Sequence, residues 1–286
     1  MAGLRLYQPS RVRDLLNTYD FSVKKSLGQN FLIDGNILDK ISTATQIGPE
    51  DLVLEIGPGL GTLTEEMALK GAQVLAVEVD RTLEPILEET LGGFDRVQVL
   101  FQDILKTDIK KEIEDRYGKR PLKVIANLPY YISTPILDHL FKSGLDIEAI
   151  YIMVQKELAD RIVADSGNKD YGSFSVYVQI RSRARIVTRV PATCFMPKPK
   201  VDSAFVELVK KEPPLGLDID RMEKIVRGAF SKRRKTVLNA LSSYGFAIEK
   251  EEIQKALALS GIEPSRRAED IAIEEYILLG QNFPAI

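Results

Sequence analysis

Short apolar runs alternate with amphipathic stretches through the first two-thirds of this 286-residue chain, and this alternation most constrains its fold. The apolar runs have the length and composition of buried strands. Alternating strands and helices are typical of an α/β protein with a doubly wound, mostly parallel sheet. The predicted strands are Leu52–Ile56, Gln73–Val77, Val97–Phe101, Lys123–Ala126, Ala149–Val154, Ala184–Val190 and Ala204–Val209.

The predicted helices fall into two groups. Those between the first five strands are Leu63–Lys70, Leu83–Leu91, Ile109–Tyr117 and Pro135–Phe141. The last two strands lie close together in sequence and are predicted to form an antiparallel edge. Beyond Pro213-Pro214-Leu215-Gly216, which breaks the pattern, the periodic segments are Asp220–Phe230, Thr236–Ser243, Lys250–Leu259 and Glu269–Leu279. The sequence therefore predicts an α/β domain over 1–212 and a smaller all-helical domain over 213–286.

Composition excludes several classes of protein. No run of 18 apolar residues exists, so we expect no membrane span, and Met1 to Arg5 lack the apolar core of a signal peptide. The single cysteine, Cys194, excludes an internal disulfide and is typical of a reducing compartment, which indicates the cytoplasm. Because the chain has only this cysteine and one histidine, we predict no metal site and no Ser-His triad. The chemistry must then use amides, carboxylates, aromatics, backbone groups or a cofactor.

Gly57, Gly59 and Gly61 follow the first predicted strand and precede a helix, where glycines let the backbone approach a ligand. A dinucleotide loop would read G-x-G-x-x-G. Here the third glycine comes one residue early, which disfavours the alternative of a nicotinamide oxidoreductase. Glu78 ends the second strand, where a carboxylate can bind ribose hydroxyls, and Asp103 follows the third, within reach of an adenine amino group. A glycine loop after the first strand, followed by an acid at the end of each of the next two strands, suits the binding of S-adenosylmethionine.

The tetrapeptide Asn127-Leu128-Pro129-Tyr130 follows the fourth predicted strand. An amino group on a nucleobase is a poor nucleophile, because its lone pair is delocalised into the ring. The Asn127 side-chain carbonyl and the Leu128 carbonyl could each accept one N–H bond and so free the lone pair. Pro129 rigidifies the turn, and Tyr130 offers a face for an extruded base. The alternative is a plain strand-to-helix turn with asparagine as a cap. Tyr131 is interpreted as a core residue, with a second pocket wall as the alternative.

The net charge of −2 hides an uneven distribution of basic residues. Eight lie between Arg181 and Lys211 against two acidic residues, and seven lie between Arg221 and Lys235 against one. The last four are consecutive: Lys232, Arg233, Arg234 and Lys235. Such clusters are compatible with a face that binds nucleic acid, although a solvated surface is the commoner reason for any one cluster.

From about Lys24 to Leu279 the chain closely resembles the ribosomal RNA small-subunit adenine dimethyltransferases, the kasugamycin-sensitivity methyltransferase family. Ser26-Leu27-Gly28-Gln29-Asn30-Phe31-Leu32 is similar to the family's N-terminal cofactor segment, and Glu55 to Thr64 is similar to its glycine loop. The segment from Phe195 to Ser203 resembles its second aromatic wall. The later motifs of the family match Glu78, Asp103 and the tetrapeptide at Asn127.

The resemblance implies a seven-stranded, Rossmann-like methyltransferase sheet with a helical, RNA- or ribosome-binding C-terminal domain. It implies N6,N6-dimethylation of two adjacent adenines in a hairpin loop near the 3′ end of small-subunit ribosomal RNA. The expected partner is that RNA within an immature small ribosomal subunit, and the expected enzyme is a cytoplasmic monomer without a membrane partner. The resemblance assigns Phe195 to the target base beside the tetrapeptide. The cofactor residues that it implies are Gln29, Asn30, Leu32, Gly57, Gly59, Gly61, Glu78, Asp103, Ile104 and Asn127.

Two alternatives on the same fold stay open. One is the large-subunit ribosomal RNA adenine methyltransferase that confers macrolide resistance. The segments Met153–Glu157 and Phe230–Leu238 resemble the small-subunit family instead, and Ser231 is interpreted as the cap of a helix that carries the basic cluster. The other alternative is a non-catalytic ribosome assembly factor, against which the presence of Glu78 and Asn127 weighs.

Overall fold

The computed structural model describes residues 5–212, 214 and 216–286 of the chain. The start before Arg5 and two residues of the predicted break, Pro213 and Leu215, lie outside the described residues. The chain divides into two compact units. The first unit comprises the described residues up to Ala159 together with Arg185–Val209, and the second comprises Asp160–Ala184 with the described residues of Lys210–Ile286.

Strands are numbered in chain order. They are β1 (Phe31–Leu32), β2 (Leu52–Ile56), β3 (Gln73–Glu78), β4 (Val97–Phe101), β5 (Leu122–Asn127), β6 (Ile147–Gln155), β7 (Ser182–Val190), β8 (Phe195–Met196) and β9 (Ser203–Lys210). Seven of them form one sheet in the order β4-β3-β2-β5-β6-β9-β7, and β1 pairs with β8 separately. The five strands from β4 to β6 in this order pair in parallel, whereas β9 runs antiparallel to β6. The predicted doubly wound sheet and its antiparallel edge are confirmed.

Helices are also numbered in chain order. They are α1 (Pro9–Thr18), α2 (Gly35–Thr45), α3 (Thr62–Leu69), α4 (Glu84–Leu91), α5 (Ile109–Tyr117), α6 (Ser133–Lys142), α7 (Lys156–Ile162), α8 (Ser173–Arg181), α9 (Ile219–Ala229), α10 (Val237–Ser242), α11 (Lys250–Leu259) and α12 (Ile273–Asn282). Side-chain caps fix several starts: Asp34, for example, accepts the Ile37 N–H at the start of α2. Within the described part of the chain, no helix is long and apolar enough to cross a membrane.

The strand order creates a switch point between β2 and β5. From β2 the chain proceeds outward to β3 and β4, and it then returns to β5 on the other side of β2. The connections after β2 and β5 therefore leave in opposite directions, which opens a crevice at the carboxyl ends of these two strands. All five residues of β2 are buried, as are Val124, Ile125 and Ala126 of β5. This packed centre of the sheet gives the crevice a rigid floor.

The second unit contains a segment that the sequence interpretation had placed in the first domain. Residues 160–184 precede the predicted boundary at 212, yet they group with the C-terminal helices. Val176 and Ile180 share a buried cluster with Met222, and the Tyr171 hydroxyl donates to the Ile271 carbonyl at 2.9 Å. The two units therefore do not meet at a single boundary at 212, because residues 160–184 pack with the helices that follow that position. The functions assigned to the two domains stay predictions.

Candidate active site

The glycine loop joins β2 to α3 in the shape that the sequence predicts. Gly57, Gly59 and Gly61 all have positive φ, which side chains rarely adopt. At Gly59 a Cβ atom would also lie 3.1 Å from the Phe31 ring. The Gly59 N–H donates to a carboxylate oxygen of Glu78 at 3.3 Å. Only glycine fits this approach of the backbone to Phe31 and Glu78.

Glu78 is the last residue of β3, and its side chain is buried beside the glycine loop. Its second carboxylate oxygen accepts the Asp80 N–H at 2.8 Å. Burial raises the pKa of Glu78, while the backbone N–H groups of Asp80 and Gly59 oppose that rise. The carboxylate is thus held in one orientation at the carboxyl edge of the sheet.

Glu55 is a second buried acid, one strand away in β2. Burial raises the pKa of Glu55 to about 8, the hydrogen bond from Thr64 lowers it, and the charge of Glu78 raises it. The Thr64 hydroxyl donates to Glu55 at 2.6 Å. In the sequence, Glu55 is identified only as the start of the glycine loop. The signal that could have identified it is a glutamate within an otherwise apolar strand.

The carboxyl ends of β2, β3 and β5 and the segment before β1 line one pocket. The predicted site residues among its lining are Gln29, Asn30, Leu32, Gly57, Gly59, Glu78, Asp103, Ile104, Asn127 and Pro129. Four other residues that are predicted for catalysis or cofactor binding are not among the lining residues: Gly61, Leu128, Tyr130 and Phe195. The structure therefore brings the predicted cofactor residues together, apart from Gly61, while their roles stay predictions.

Asn127, the last residue of β5, is fixed by the N-terminal segment. Its Nδ2 atom donates to the Asn30 backbone carbonyl at 2.8 Å. Because a carbonyl oxygen only accepts hydrogen bonds, the amide nitrogen must face Asn30, and Oδ1 is then directed away from that carbonyl. The Leu128 N–H donates to the Met153 carbonyl at 3.1 Å, which ties the turn to β6. The amide thus has the orientation that an acceptor for a substrate N–H needs.

Two neighbouring tyrosines have different environments. The Tyr130 hydroxyl lies 2.6 Å from the hydroxyl of Ser203, which is buried at the start of β9. Burial raises the pKa of Tyr130, and the Ser203 hydrogen bond opposes this. Tyr131 is 58% exposed and lines the pocket. The interpretation of Tyr131 as a core residue is therefore wrong, because the tight turn directs it out of the core.

Phe195 lies in β8, where it pairs with Leu32 of β1. Its side chain is only 3% exposed and belongs to a core cluster with Leu32, Ile37 and Phe205. A ring so placed cannot stack on a base without first being uncovered. The assignment of Phe195 to the target base stays a prediction, and Phe195→Ala would in addition leave a cavity in the core.

The basic cluster of the second unit lies in the turn between α9 and α10. Its four residues are exposed: Lys232, Arg233, Arg234 and Lys235. Ser231 does not cap a helix, because its hydroxyl donates to the Gly228 carbonyl at the end of α9. Thr236 caps α10 instead, accepting the Asn239 N–H at 3.4 Å. The expectation that a helix capped by Ser231 carries this cluster is thus wrong, and the cluster is presented by a turn.

A Rossmann-like sheet with acids at the ends of β3 and β4, a glycine loop after β2 and an asparagine at the end of β5 is the arrangement that the sequence predicts for a methyltransferase. Comparison with known proteins agrees. A family described as ribosomal RNA adenine dimethylase matches residues 20–283. A relative from Alkaliphilus oremlandii, named ribosomal RNA small subunit methyltransferase A, is 44% identical over 97% of this chain and 98% of its own length. The chain therefore belongs to the ribosomal RNA adenine dimethylase family.

Two crystal structures are similar to most of this chain. A dimethyladenosine transferase from Plasmodium falciparum is 27% identical, with a TM-score of 0.72 over 87% of this chain and 95% of that one. The 23S rRNA methyltransferase ErmE is 26% identical, with a TM-score of 0.69 over 89% of this chain and 99% of that one. Both likenesses agree with an enzyme of the methyltransferase class.

Proposed function

We propose that this enzyme transfers methyl groups from S-adenosylmethionine to the N6 atoms of two adjacent adenines near the 3′ end of small-subunit ribosomal RNA. The substrate is a hairpin loop of that RNA within an immature small subunit, and methylation is coupled to maturation of the subunit. The observation that carries the proposal is the fixed amide of Asn127 at the switch point of the sheet.

The pocket fits S-adenosylmethionine. The buried, oriented carboxylate of Glu78 suits the two ribose hydroxyls, and Asp103 at the next strand end suits the adenine amino group. The positive φ of Gly57 and Gly59 lets the backbone approach the ligand closely. When bound there, S-adenosylmethionine supplies an electrophilic methyl group on a sulfonium.

Asn127 and the following turn act on the nucleophile. Asn127 Oδ1 accepts one N–H of the adenine amine, and the Leu128 carbonyl accepts the other, so the nitrogen lone pair is freed from the ring. Extruding the base costs a few kcal/mol. Stacking of the extruded base on an aromatic face such as Tyr130 contributes about 1–3 kcal/mol per base, which offsets this cost. The nitrogen loses its proton only after methylation, so positioning takes the place of a general base.

The choice of the small subunit rests on the relatives. Relatives that are 42–44% identical over at least 94% of both chains are named for the small subunit. The likeness to the 23S rRNA methyltransferase is at 26% identity. Because of this structural likeness, large-subunit ribosomal RNA is the second candidate substrate. The higher sequence identity to the small-subunit relatives favours small-subunit ribosomal RNA.

Methyl transfer to unmodified small subunits by Asn127 variants tests the proposal. Asn127→Ala removes the acceptor, and Asn127→Asp places a carboxylate against the Asn30 carbonyl. Both should lose turnover by at least about a hundredfold, consistent with about 3 kcal/mol of transition-state stabilisation. Asn36→Ala, at an exposed position of α2, is the matched control. Near-normal turnover in a folded Asn127→Ala variant would refute the amine-orienting mechanism.

A further inference from the structure

Asp80 lies two residues beyond β3 and is 3% exposed, although it carries a carboxylate. That carboxylate accepts hydrogen bonds from Lys24 Nζ at 2.6 Å, Gln29 Nε2 at 2.7 Å and the Thr82 hydroxyl at 2.6 Å. Its backbone N–H donates to Glu78. Asp80 therefore connects the acid at the end of β3 with a segment about 50 residues earlier in the chain.

The segment that Asp80 holds, residues 24–32, contributes its part from Leu27 to Leu32 to one wall of the pocket. The Lys24 N–H donates to Gln29 Oε1 at 2.8 Å, so Lys24, Gln29 and Asp80 close a ring of hydrogen bonds. Further along, the Asn30 carbonyl accepts the amide of Asn127. The segment is thus attached to Asp80 through Lys24 and Gln29, and to the last residue of β5 through Asn30.

The energetics favour the closed position of this segment. A buried carboxylate without partners pays a large desolvation cost, whereas one with several charge-assisted hydrogen bonds does not. If residues 24–29 moved away, Asp80 would lose its ion pair with Lys24 and its bond from Gln29. The pKa of Asp80 is lowered because the hydrogen bonds from Lys24, Thr82 and Gln29 outweigh the effect of burial, which alone would raise it. The carboxylate therefore keeps its negative charge for this contact.

We propose that Asp80 is a positioning residue that latches residues 24–32 over the cofactor pocket and so sets the residence time of S-adenosylmethionine. This inference rests on the proposed function, because it takes that cofactor as the ligand. Holding the wall closed before binding reduces the ordering cost on binding. Once the ligand is bound, the same contacts oppose its escape. The latch also keeps the Asn30 carbonyl in place for Asn127.

Asp80→Asn and Lys24→Met test the latch. An amide at position 80 keeps the shape but has one acceptor oxygen, so its NH₂ group must face a donor from Lys24, Gln29 or Thr82. We expect each variant to bind S-adenosylmethionine about tenfold more weakly, about 1.4 kcal/mol, chiefly through faster dissociation in stopped-flow measurements. Lys24→Arg, which keeps the cation, should retain most of the affinity. Glu89→Gln breaks the ion pair of Arg11 with α4, away from the pocket, and is the matched control.

Two further readouts separate a latch from a general loss of stability. In hydrogen exchange, the amides of residues 24–32 should lose protection in Lys24→Met, while those of β2 and β3 keep it. The KM for the cofactor should rise more than kcat falls. Lys24 is 41% exposed, so we expect its variant to fold even if Asp80→Asn does not. A double variant should lose little more affinity than either single one, because both break the same contact.

The outcomes distinguish failure of the proposed role of Asp80 from failure of the proposed methyltransferase function. Wild-type protein that binds no S-adenosylmethionine would overturn the proposed function. Wild-type protein that binds it, with unchanged affinity and dissociation rate in folded Lys24→Met, would overturn the latch alone. Equal losses in Lys24→Met and the Glu89→Gln control would do the same.

Discussion

Glu55→Gln gives a quantitative test of the buried acid in β2. The carboxyl of Glu55 has a pKa of about 8 in the folded protein, against a reference value of 4.5. The folded state therefore holds a proton that the unfolded state releases as the pH rises above 4.5. The resulting stability is fully present below the unfolded pKa and is lost as the pH rises toward 8. Glutamine is close in shape to the protonated side chain and can still accept the Thr64 hydroxyl.

The size of the effect follows from linkage between protonation and folding. Relative to the fully protonated protein, the wild type should lose about 1 kcal/mol of unfolding free energy by pH 5 and about 3 kcal/mol by pH 7. The Glu55→Gln variant does not lose this unfolding free energy, because glutamine does not titrate. Its stability advantage over the wild type should therefore grow by about 2–3 kcal/mol between these two pH values. Glu78, whose pKa burial also raises, titrates in both proteins and largely cancels in the difference.

The assay is urea unfolding of the ligand-free proteins at pH 5, 6, 7 and 8. Glu88→Gln, at an exposed position of α4, controls for the loss of one negative charge. The difference between Glu55→Gln and wild type should rise steadily with pH, whereas that of the control should stay flat. A difference that does not change across this range would refute the assignment of a protonated, buried Glu55.

Three further outcomes are expected. Glu78→Ala should weaken S-adenosylmethionine binding by about 10- to 100-fold in calorimetry, because a hydrogen bond to a charged group contributes about 1.5–3 kcal/mol; unchanged affinity in a folded variant would remove Glu78 from the site. Tyr130→Phe breaks the contact with Ser203 and should lower stability by about 1 kcal/mol while keeping the aromatic face, so turnover should fall far less than in Tyr130→Ala. Arg233→Glu with Arg234→Glu should weaken binding to small subunits and flatten its salt dependence, since phosphate contacts release counterions; a wild-type salt slope at normal melting temperature would exclude this turn as an RNA contact.

The sheet could be predicted from the sequence because most of its strands are short, largely apolar runs. Leu52–Ile56 and Val97–Phe101 match β2 and β4 to the residue, and the other strands differ at their ends. The short strands β1 and β8 could not be predicted, because two residues carry no periodicity and their pairing is set by tertiary contact. For the same reason the sequence gives no sign that residues 160–184 join the C-terminal helices.

The candidate site divides in a similar way. Strand-end residues such as Glu78 and Asn127 are predictable, because parallel strands bring their carboxyl ends to one edge of the sheet. The partners that orient them are not: the Asn30 carbonyl is a backbone atom, and Asp80 is one of many acids in the sequence. The burial of Phe195 was also unpredictable, since a resemblance to a motif gives a residue's identity and not its exposure.

The proposed dimethylation of two adjacent adenines in small-subunit ribosomal RNA can be tested by mapping the modified bases. Unmodified small subunits and, separately, large subunits are incubated with the protein and S-adenosylmethionine, and the RNA is then digested and analysed by mass spectrometry. We expect N6,N6-dimethyladenine at two neighbouring positions in one hairpin loop near the 3′ end of the small-subunit RNA, and none there with Asn127→Ala. Modification of large-subunit RNA alone, or of no RNA by a protein that binds S-adenosylmethionine, would contradict it.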